Sequence, residues 1–213
     1  MVASVAATFS VPAARARSRR MPLAALLLVT VAGCASDQPG GTLPPRPAVP
    51  DGWTTVQTAA GDLEMTLPPY IDAFDTEAAI HANEPPNPAT GQFTFSLMGT
   101  GPWTVVDLLE PGESTEHWIE RVVLSGVPAE RRTDTTSEQV LLPSGVGHRV
   151  RTTIDAGTVE ENVVLVWAVP TQDRIGYLVI NGTPGGMEEH AADAELIAQL
   201  MRFAQGKGRP AGQ

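Results

Sequence analysis

Two short runs in which apolar and polar residues alternate, 53–57 and 62–67, predict a β-hairpin. Leu63, Met65 and Leu67 fall on the same side of the second run, as expected for a strand with one buried face. A glycine-containing turn separates the runs, and two prolines end the second because proline cannot donate to a strand ladder. The hairpin is therefore predicted to pack its inner face on the core.

Four longer runs have the spacing of an antiparallel meander. They cover residues 130–142, 145–155, 159–169 and 174–181, with turn residues at each junction. The third run ends in a stretch that is apolar on both sides, which predicts an interior strand with cover on both faces of the sheet.

The first two of these runs can be aligned in a register that pairs opposite charges. In that register Arg132 faces Asp155, and Glu138 faces Arg149. Cross-strand pairs of this kind contribute roughly 0.2–1 kcal/mol each. The register therefore explains these arginines without an anion-binding site.

Two segments have the three-and-four spacing of amphipathic helices. The first follows Pro111-Gly112; the second follows Thr183-Pro184 and is predicted to continue to about Phe203. Between the hairpin and the first helix, the pattern of residues 70–83 is ambiguous and predicts neither a helix nor a strand. Residues 92–97 are predicted to form a strand. The stripe of the first helix consists of Trp118, Ile119, Val122 and Val123.

The composition is that of one folded domain with an N-terminal extension. The chain has 213 residues, of which 42% are apolar, as in ordinary globular proteins. We predict an α+β domain over residues 52–205, in which helices cover an antiparallel sheet made of a meander of about four strands plus the N-terminal hairpin. Residues 206–213 are predicted to be a disordered tail.

Residues 1–33 have the organisation of a secretion signal. Four arginines and no acidic residue occur in this segment, and an apolar run extends from Met21 to Ala32. A run of about a dozen residues is too short to cross roughly 30 Å of hydrocarbon comfortably. We therefore predict a signal peptide rather than a membrane helix.

The end of this segment, Val31-Ala32-Gly33-Cys34, resembles the bacterial lipobox. The resemblance implies that signal peptidase II cuts before Cys34 and that its thiol carries diacylglycerol, so that acyl chains on Cys34 hold the protein on the membrane. Cys34 is the only cysteine, which excludes an intramolecular disulfide and a multi-thiolate zinc site. The alternative is a plain secretory signal followed by a chance cysteine.

Residues 34–51 are predicted to be the lipidated cysteine and a tether rich in proline and glycine, because nothing in them can build a core. Removal of residues 1–33 leaves ten basic and 24 acidic residues, a formal net charge near −14. Without a basic stripe to release counterions from phosphate, the domain is not expected to bind nucleic acid.

Several local patterns together resemble the mycobacterial LpqN-type lipoproteins, which share a PsbP-like α-β-α sandwich. The resemblance covers roughly residues 52–204. It implies a PsbP-like fold and a non-catalytic extracytoplasmic module of actinobacterial origin, and it supplies no catalytic residue. The matching residues are Gly52-Trp53, Leu67-Pro68, Leu142-Pro143-Ser144-Gly145 leading into Arg149 and Arg151, and Thr183-Pro184 before the last helix.

Common catalytic and cofactor motifs are missing from the sequence. It contains no nucleophile elbow, phosphate loop, dinucleotide fingerprint or zinc-protease helix. The four histidines fall in four different predicted elements. His190 and Asp193 have the spacing of a helical metal-binding pair, but a solvated charged face explains them equally well. We therefore expect no cofactor, no metal and no catalytic residue.

Two places are predicted to contact a partner. Trp103 lies in a turn-rich setting, where a large aromatic side chain can anchor a partner, although it can also close the end of the core. The loop containing Asn83, Pro85 and Pro86 can offer a rigid docking strip, or can simply turn the chain. The sequence thus favours a membrane-anchored, extracytoplasmic accessory module that binds an envelope protein or ligand. The alternatives are a lipid or glycolipid carrier with an apolar cavity, and a hydrolase.

Overall fold

The computed structural model describes residues 42–86, 88, 93–102, 108–171 and 174–204. All of them belong to one compact unit, Gly41–Gln213. Within these residues no helix is both long and apolar enough to cross a membrane. The strands are β1 (Thr54–Gln57), β2 (Leu63–Leu67), β3 (Asp72–Asp75), β4 (Ile80–Asn83), β5 (Phe95–Thr100), β6 (Arg132–Leu142), β7 (Gly145–Ile154), β8 (Asn162–Thr171), β9 (Arg174–Gly182) and β10 (Arg202–Phe203).

Helical segments lie between and after the strands. Helix α1 (Thr115–Trp118) continues as a π-helical turn, Ile119–Val123. A short 3₁₀ turn, Ala129–Arg131, precedes β6. Helices α2 (Pro184–Glu189) and α3 (Ala191–Leu200) follow β9.

The described strands form two antiparallel sheets. The larger has the order β3-β4-β5-β9-β8-β7-β6, and the smaller has the order β1-β2-β10. The predicted α+β architecture, the N-terminal hairpin and the four-strand meander are confirmed. The large sheet extends beyond the predicted meander because β5 pairs with β9 and carries β4 and β3 with it.

Both faces of the large sheet are covered at its centre, as the apolar run in β8 predicts. On one face Trp167 and Leu178 pack with Ile197 of α3 and with the small sheet, and all three side chains are fully buried. On the other face Val166 packs with Trp118 of α1. Burying each large apolar side chain stabilises the fold by about 1.5–3 kcal/mol, so β8 and β9 form the centre of the structure.

The register of β6 and β7 is partly as predicted. Glu138 faces Arg149, and its carboxylate accepts a hydrogen bond of 2.8 Å from Nε of that arginine. The predicted pairing of Arg132 with Asp155 is wrong, because a bulge between Thr133 and Thr136 shifts the register by one residue. Asp155 instead accepts hydrogen bonds from Arg131.

The last helix is shorter than predicted and is divided in two. Thr183 caps α2 as expected, since its hydroxyl accepts a hydrogen bond of 3.2 Å from the Gly186 amide. The helix breaks at His190, and α3 ends at Leu200 rather than near Phe203. Phe203 leaves the helical path to pair with β2 in the small sheet. Pairing and packing thus override the helical pattern of the sequence.

Helix α2 approaches the sheet through its glycines. The Thr94 carbonyl, just before β5, accepts a hydrogen bond of 3.1 Å from the Thr183 amide. A β-carbon at Gly182 or Gly186 would overlap this carbonyl oxygen, whereas one at Gly185 would meet no atom. The absence of a side chain at Gly182 and Gly186 therefore allows the start of α2 to rest directly on backbone.

The segment before α1 is held by a two-point ion pair. The Glu113 carboxylate accepts hydrogen bonds of 2.8 and 2.9 Å from Arg121 and one of 3.0 Å from the Glu110 amide. The hydrogen bonds from Arg121 lower the pKa of Glu113 to about 2, with the Glu110 amide and the Arg121 charge acting in the same direction. This pair stabilises the charged form of Glu113 in the folded state.

We predict different effects for alanine at the two adjacent glycines of α2. Gly186→Ala should lower the free energy of unfolding by about 1–3 kcal/mol, because the new methyl group overlaps a backbone carbonyl. Gly185→Ala should leave it unchanged or raise it by up to about 1 kcal/mol, because alanine favours a helix. Urea unfolding followed by circular dichroism measures both. Equal effects of the two substitutions would contradict the close approach of α2 to Thr94.

We also predict that Glu113 stabilises the fold in a pH-dependent manner. Its pKa is lowered in the folded state, so its contribution is complete above the unfolded value of about 4.5 and is lost as pH falls towards about 2. Glu113→Gln should therefore be less stable than the wild type at pH 6, and the difference should vanish near pH 2. Glu116→Gln, which alters an exposed acid on α1, is the matched control. A difference that does not change with pH argues against the ion pair.

Candidate functional site

His190 is the histidine that the fold surrounds with other chemically active groups. It lies at the junction of α2 and α3, and only 10% of its side chain is exposed. Its ring stacks on Tyr70 with centroids 4.7 Å apart, and it meets Phe95 edge-on at 5.1 Å. These aromatic contacts fix the ring where the helix breaks.

Two carboxylates complete this site. Glu84 Oε2 lies 3.6 Å from His190 Nε2 and accepts a hydrogen bond from the Thr94 hydroxyl. The Tyr70 hydroxyl donates to Asp193 of α3. We refer to Tyr70, Glu84, Thr94, His190 and Asp193 as the His190 cluster.

The order of groups in the His190 cluster determines what it can do. In a hydroxyl–imidazole site of the serine-hydrolase type, the nucleophilic hydroxyl donates directly to the histidine. Thr94 donates to Glu84 instead of His190, so the carboxylate stands between the hydroxyl and the imidazole. Burial, together with the hydrogen bond to Asp193, raises the pKa of Tyr70 far above its usual value, so its phenol serves as a donor and not as a base. The hydroxyl and the imidazole are therefore not paired directly, and the contacts of the cluster join α2 and α3 to the chain before β3 and after β4.

The other histidines lie apart, as their sequence positions predict. His81 is on β4, His117 on α1 and His148 on β7. The spacing of His190 and Asp193 does place both in one cluster, but Asp193 accepts from Tyr70. In the described part of the chain no three His, Cys, Asp or Glu side chains are grouped so as to hold a metal ion.

The predicted docking strip forms the end of β4 and the start of the following loop. Asn83 is the last residue of β4, is half-buried, and donates a hydrogen bond of 2.9 Å to the Glu84 carbonyl. Pro85 and Pro86 are exposed. The strip therefore adjoins the His190 cluster through Glu84. Trp103, Cys34 and the lipobox residues Val31, Ala32 and Gly33 lie outside the described residues.

Asn83 also belongs to a second surface, on the opposite face of the large sheet from α2 and α3. Asn83 pairs with Ser96, and Ser96 pairs with Asn181, so the three form one row across β4, β5 and β9. The Ser96 hydroxyl donates to Asn181 Oδ1 at 2.9 Å. All three side chains are half-buried. The row is a continuous set of uncharged hydrogen-bonding groups.

An exposed aromatic ring flanks this polar row. Phe74 occupies the β-bulge of β3 and is 70% exposed, and its ring centroid lies 5.9 Å from that of His81. Phe74 thus places a large apolar side chain in water beside the polar row. We refer to Phe74, His81, Asn83, Ser96 and Asn181 as the open face.

The sequence pattern points to Asn83 as a contact residue, but it does not indicate that Phe74, Ser96 and Asn181 share a surface with it. These residues come from three strands separated by up to about 100 positions, and only the pairing of β5 with β9 brings them together. The pattern around Phe74 gave a weak signal because a bulge interrupts the alternation that identifies a strand.

We predict that the contribution of Tyr70 to the stability of the fold depends on pH and is lost at high pH. Because its pKa is raised in the folded state, its contribution is complete below the unfolded value of about 10 and is lost as pH rises above it. Tyr70→Phe should be less stable than the wild type by about 1 kcal/mol at pH 7, and the difference should shrink above pH 10. Chemical unfolding at pH 7 and pH 11 measures this. A difference that grows with pH would contradict the arrangement.

Comparison with known proteins finds similarity in fold at low sequence identity. PsbP (CyanoP) from the cyanobacterium Synechocystis is 8% identical, has a TM-score of 0.49, and is matched over 78% of this chain and 99% of that chain. The yeast (Saccharomyces cerevisiae) Ran-binding protein Mog1p is 15% identical, has a TM-score of 0.41, and is matched over 70% of this chain and 86% of that chain.

A protein from Bacteroides thetaiotaomicron is 11% identical, with a TM-score of 0.48 over 73% of this chain and 49% of that chain, so this chain spans about half of its length. No protein-family profile matches the sequence. No curated protein matches it either. All three TM-scores are below 0.5, and the LpqN-type resemblance stays a prediction.

Proposed function

We propose that the protein is a lipid-anchored lipoprotein of the cell envelope, whose extracytoplasmic α+β domain is a non-catalytic binding module. The observation that carries this proposal is Val31-Ala32-Gly33-Cys34 at the end of a basic and then apolar N-terminal segment. A thiol is the side chain best suited to S-alkylation, and Cys34 is the only cysteine in the chain.

Anchoring by acyl chains is energetically sufficient. Each buried methylene group contributes about 0.8 kcal/mol, so that one chain gives marginal membrane binding while two or three hold a protein firmly. A diacylglycerol group on Cys34 supplies two chains. No further membrane segment is needed under this proposal.

The segment that follows the proposed anchor is attached to the domain at Arg46. Its guanidinium donates a hydrogen bond to the Leu200 carbonyl at the end of α3 and lies 3.7 Å from the Glu64 carboxylate on β2. Eleven residues separate Cys34 from Arg46. At up to about 3.5 Å per residue, Arg46 then stands no more than about 40 Å from the lipidated cysteine.

A binding role is supported by two surfaces that contain exposed, rigid or aromatic groups. Pro85 and Pro86 are exposed beside Glu84, and a proline-rich strip loses little conformational entropy when a partner binds. The open face adds an exposed phenylalanine next to polar side chains. Binding residues concentrate on loops, and the prolines lie on one.

The carrier alternative requires an apolar cavity of several hundred Å³ between sheet and helices. Trp167, Leu178 and Ile197 lie between the large sheet and α3, and none of the three side chains has any exposed surface. The complete burial of these side chains favours binding at the surface over binding in the interior.

The hydrolase alternative has one observation in its favour, the contact between His190 and Glu84. The neighbouring hydroxyl, however, donates to the carboxylate. A hydrolase that uses a hydroxyl–imidazole pair would need a second hydroxyl or a water held by His190 itself.

Mass spectrometry of the mature protein tests the proposed anchor. The expected N-terminal peptide begins at Cys34 and carries a diacylglycerol modification on sulfur. Cys34→Ala should abolish both cleavage by signal peptidase II and acylation, while Ser36→Ala, two residues away, should leave them unchanged. An N-terminal peptide that begins before Cys34, or an unmodified Cys34 thiol, would overturn the proposal.

A further inference from the structure

We propose that the open face binds a neutral saccharide chain. This inference rests on the proposed function, because it names the class of ligand that the binding module would take. It starts from the row Asn83, Ser96 and Asn181, which three neighbouring strands hold side by side. Strands are about 4.8 Å apart, so the row extends across roughly 10 Å of the sheet.

The row offers both hydrogen-bond donors and hydrogen-bond acceptors to a ligand. Asn181 Oδ1 accepts from Ser96, and Asn83 Nδ2 donates to the Glu84 carbonyl. Among the described residues neither Asn181 Nδ2 nor Asn83 Oδ1 has a hydrogen-bond partner. One donor and one acceptor are therefore left on the two sides of Ser96. A sugar hydroxyl both donates and accepts, so it can pair with either group.

The Phe74 ring of the open face is suited to contact the apolar C–H groups of a sugar ring. Carbohydrate rings present C–H groups as well as hydroxyls, and an exposed phenyl ring can bury those C–H groups from water. Phe74 is 70% exposed and held at a β-bulge beside His81. An apolar ring and a polar amide row on one face match the two kinds of surface that a saccharide presents.

The charges around the open face disfavour an anionic ligand. No lysine or arginine belongs to it, and the two charged residues of the adjoining strand, Asp72 and Asp75, are both acidic and exposed. Asp72 pairs with Asn83, and Asp75 pairs with His81. A phosphate or uronate group would be repelled by these carboxylates. A neutral chain avoids that penalty.

A protein partner is the competing occupant, but it fits these groups less well. Protein hot spots are well-packed, desolvated pockets around tryptophan, tyrosine or arginine. The open face has a single phenylalanine, and its amides remain half-buried. Wet, hydroxyl-rich contacts suit such a surface better than a dry interface does.

The test is calorimetric titration of the full-length chain, purified in a detergent without a sugar headgroup. The probes are neutral hexasaccharides of N-acetylglucosamine, α-linked glucose, β-linked glucose and arabinose, with hexagalacturonate as the anionic comparison. We expect at least one neutral probe to bind with a Kd below about 1 mM. Phe74→Ala and Asn181→Ala should each weaken that binding at least about tenfold.

The control is Val159→Ala, which alters a side chain that is 96% exposed outside the open face and should leave Kd unchanged. Failure of all four neutral probes, equal binding of hexagalacturonate, or unchanged affinity in both open-face variants would overturn the saccharide proposal. A chain that is acylated at Cys34 but binds none of the probes refutes this inference alone. A chain that is not acylated refutes the anchor, whatever it binds.

Discussion

The contact between the start of α2 and the Thr94 carbonyl is the constraint on which the helical side of the domain depends. Two glycines, Gly182 and Gly186, leave room for it, and the Thr183 amide donates to the same carbonyl. Because α2 begins against the sheet, His190 at its end reaches Tyr70 and Phe95. The His190 cluster is therefore a consequence of backbone contact, and it joins the two helices to the loops on either side of β3 and β4.

Local patterns predicted the elements whose partners are close in sequence. The hairpin, the meander and the cap at Thr183 could be predicted because alternation, turn residues and capping act over a few residues. The break at His190 and the pairing of Phe203 with β2 could not, because both depend on partners more than 100 residues away. The register error at Arg132 has a local cause: the bulge between Thr133 and Thr136 leaves no mark in the pattern of charged residues.

For the same reason, only some residues of the His190 cluster and the open face could be predicted from the sequence. The loop pattern points to Asn83 and the prolines after it, and helical spacing pairs His190 with Asp193. Glu84 and Asn181 require the three-dimensional structure, because sheet order brings β4, β5 and β9 together, and Tyr70 requires it because its partner His190 lies far away in sequence. Together these contacts give the large sheet one face sealed by α2, α3 and the small sheet, and another that is open near β3 to β5. This division suits a module that binds at its surface while its interior stays filled.

The central claim is that a lipid at Cys34 holds this domain on the outer side of the membrane. Triton X-114 phase separation combined with protease treatment of intact protoplasts tests it most directly. The wild-type chain should enter the detergent phase and be digested from outside, and Cys34→Ser should stay out of the detergent phase. A wild-type chain that stays in the aqueous phase, or is protected until the membrane is opened, would contradict the claim.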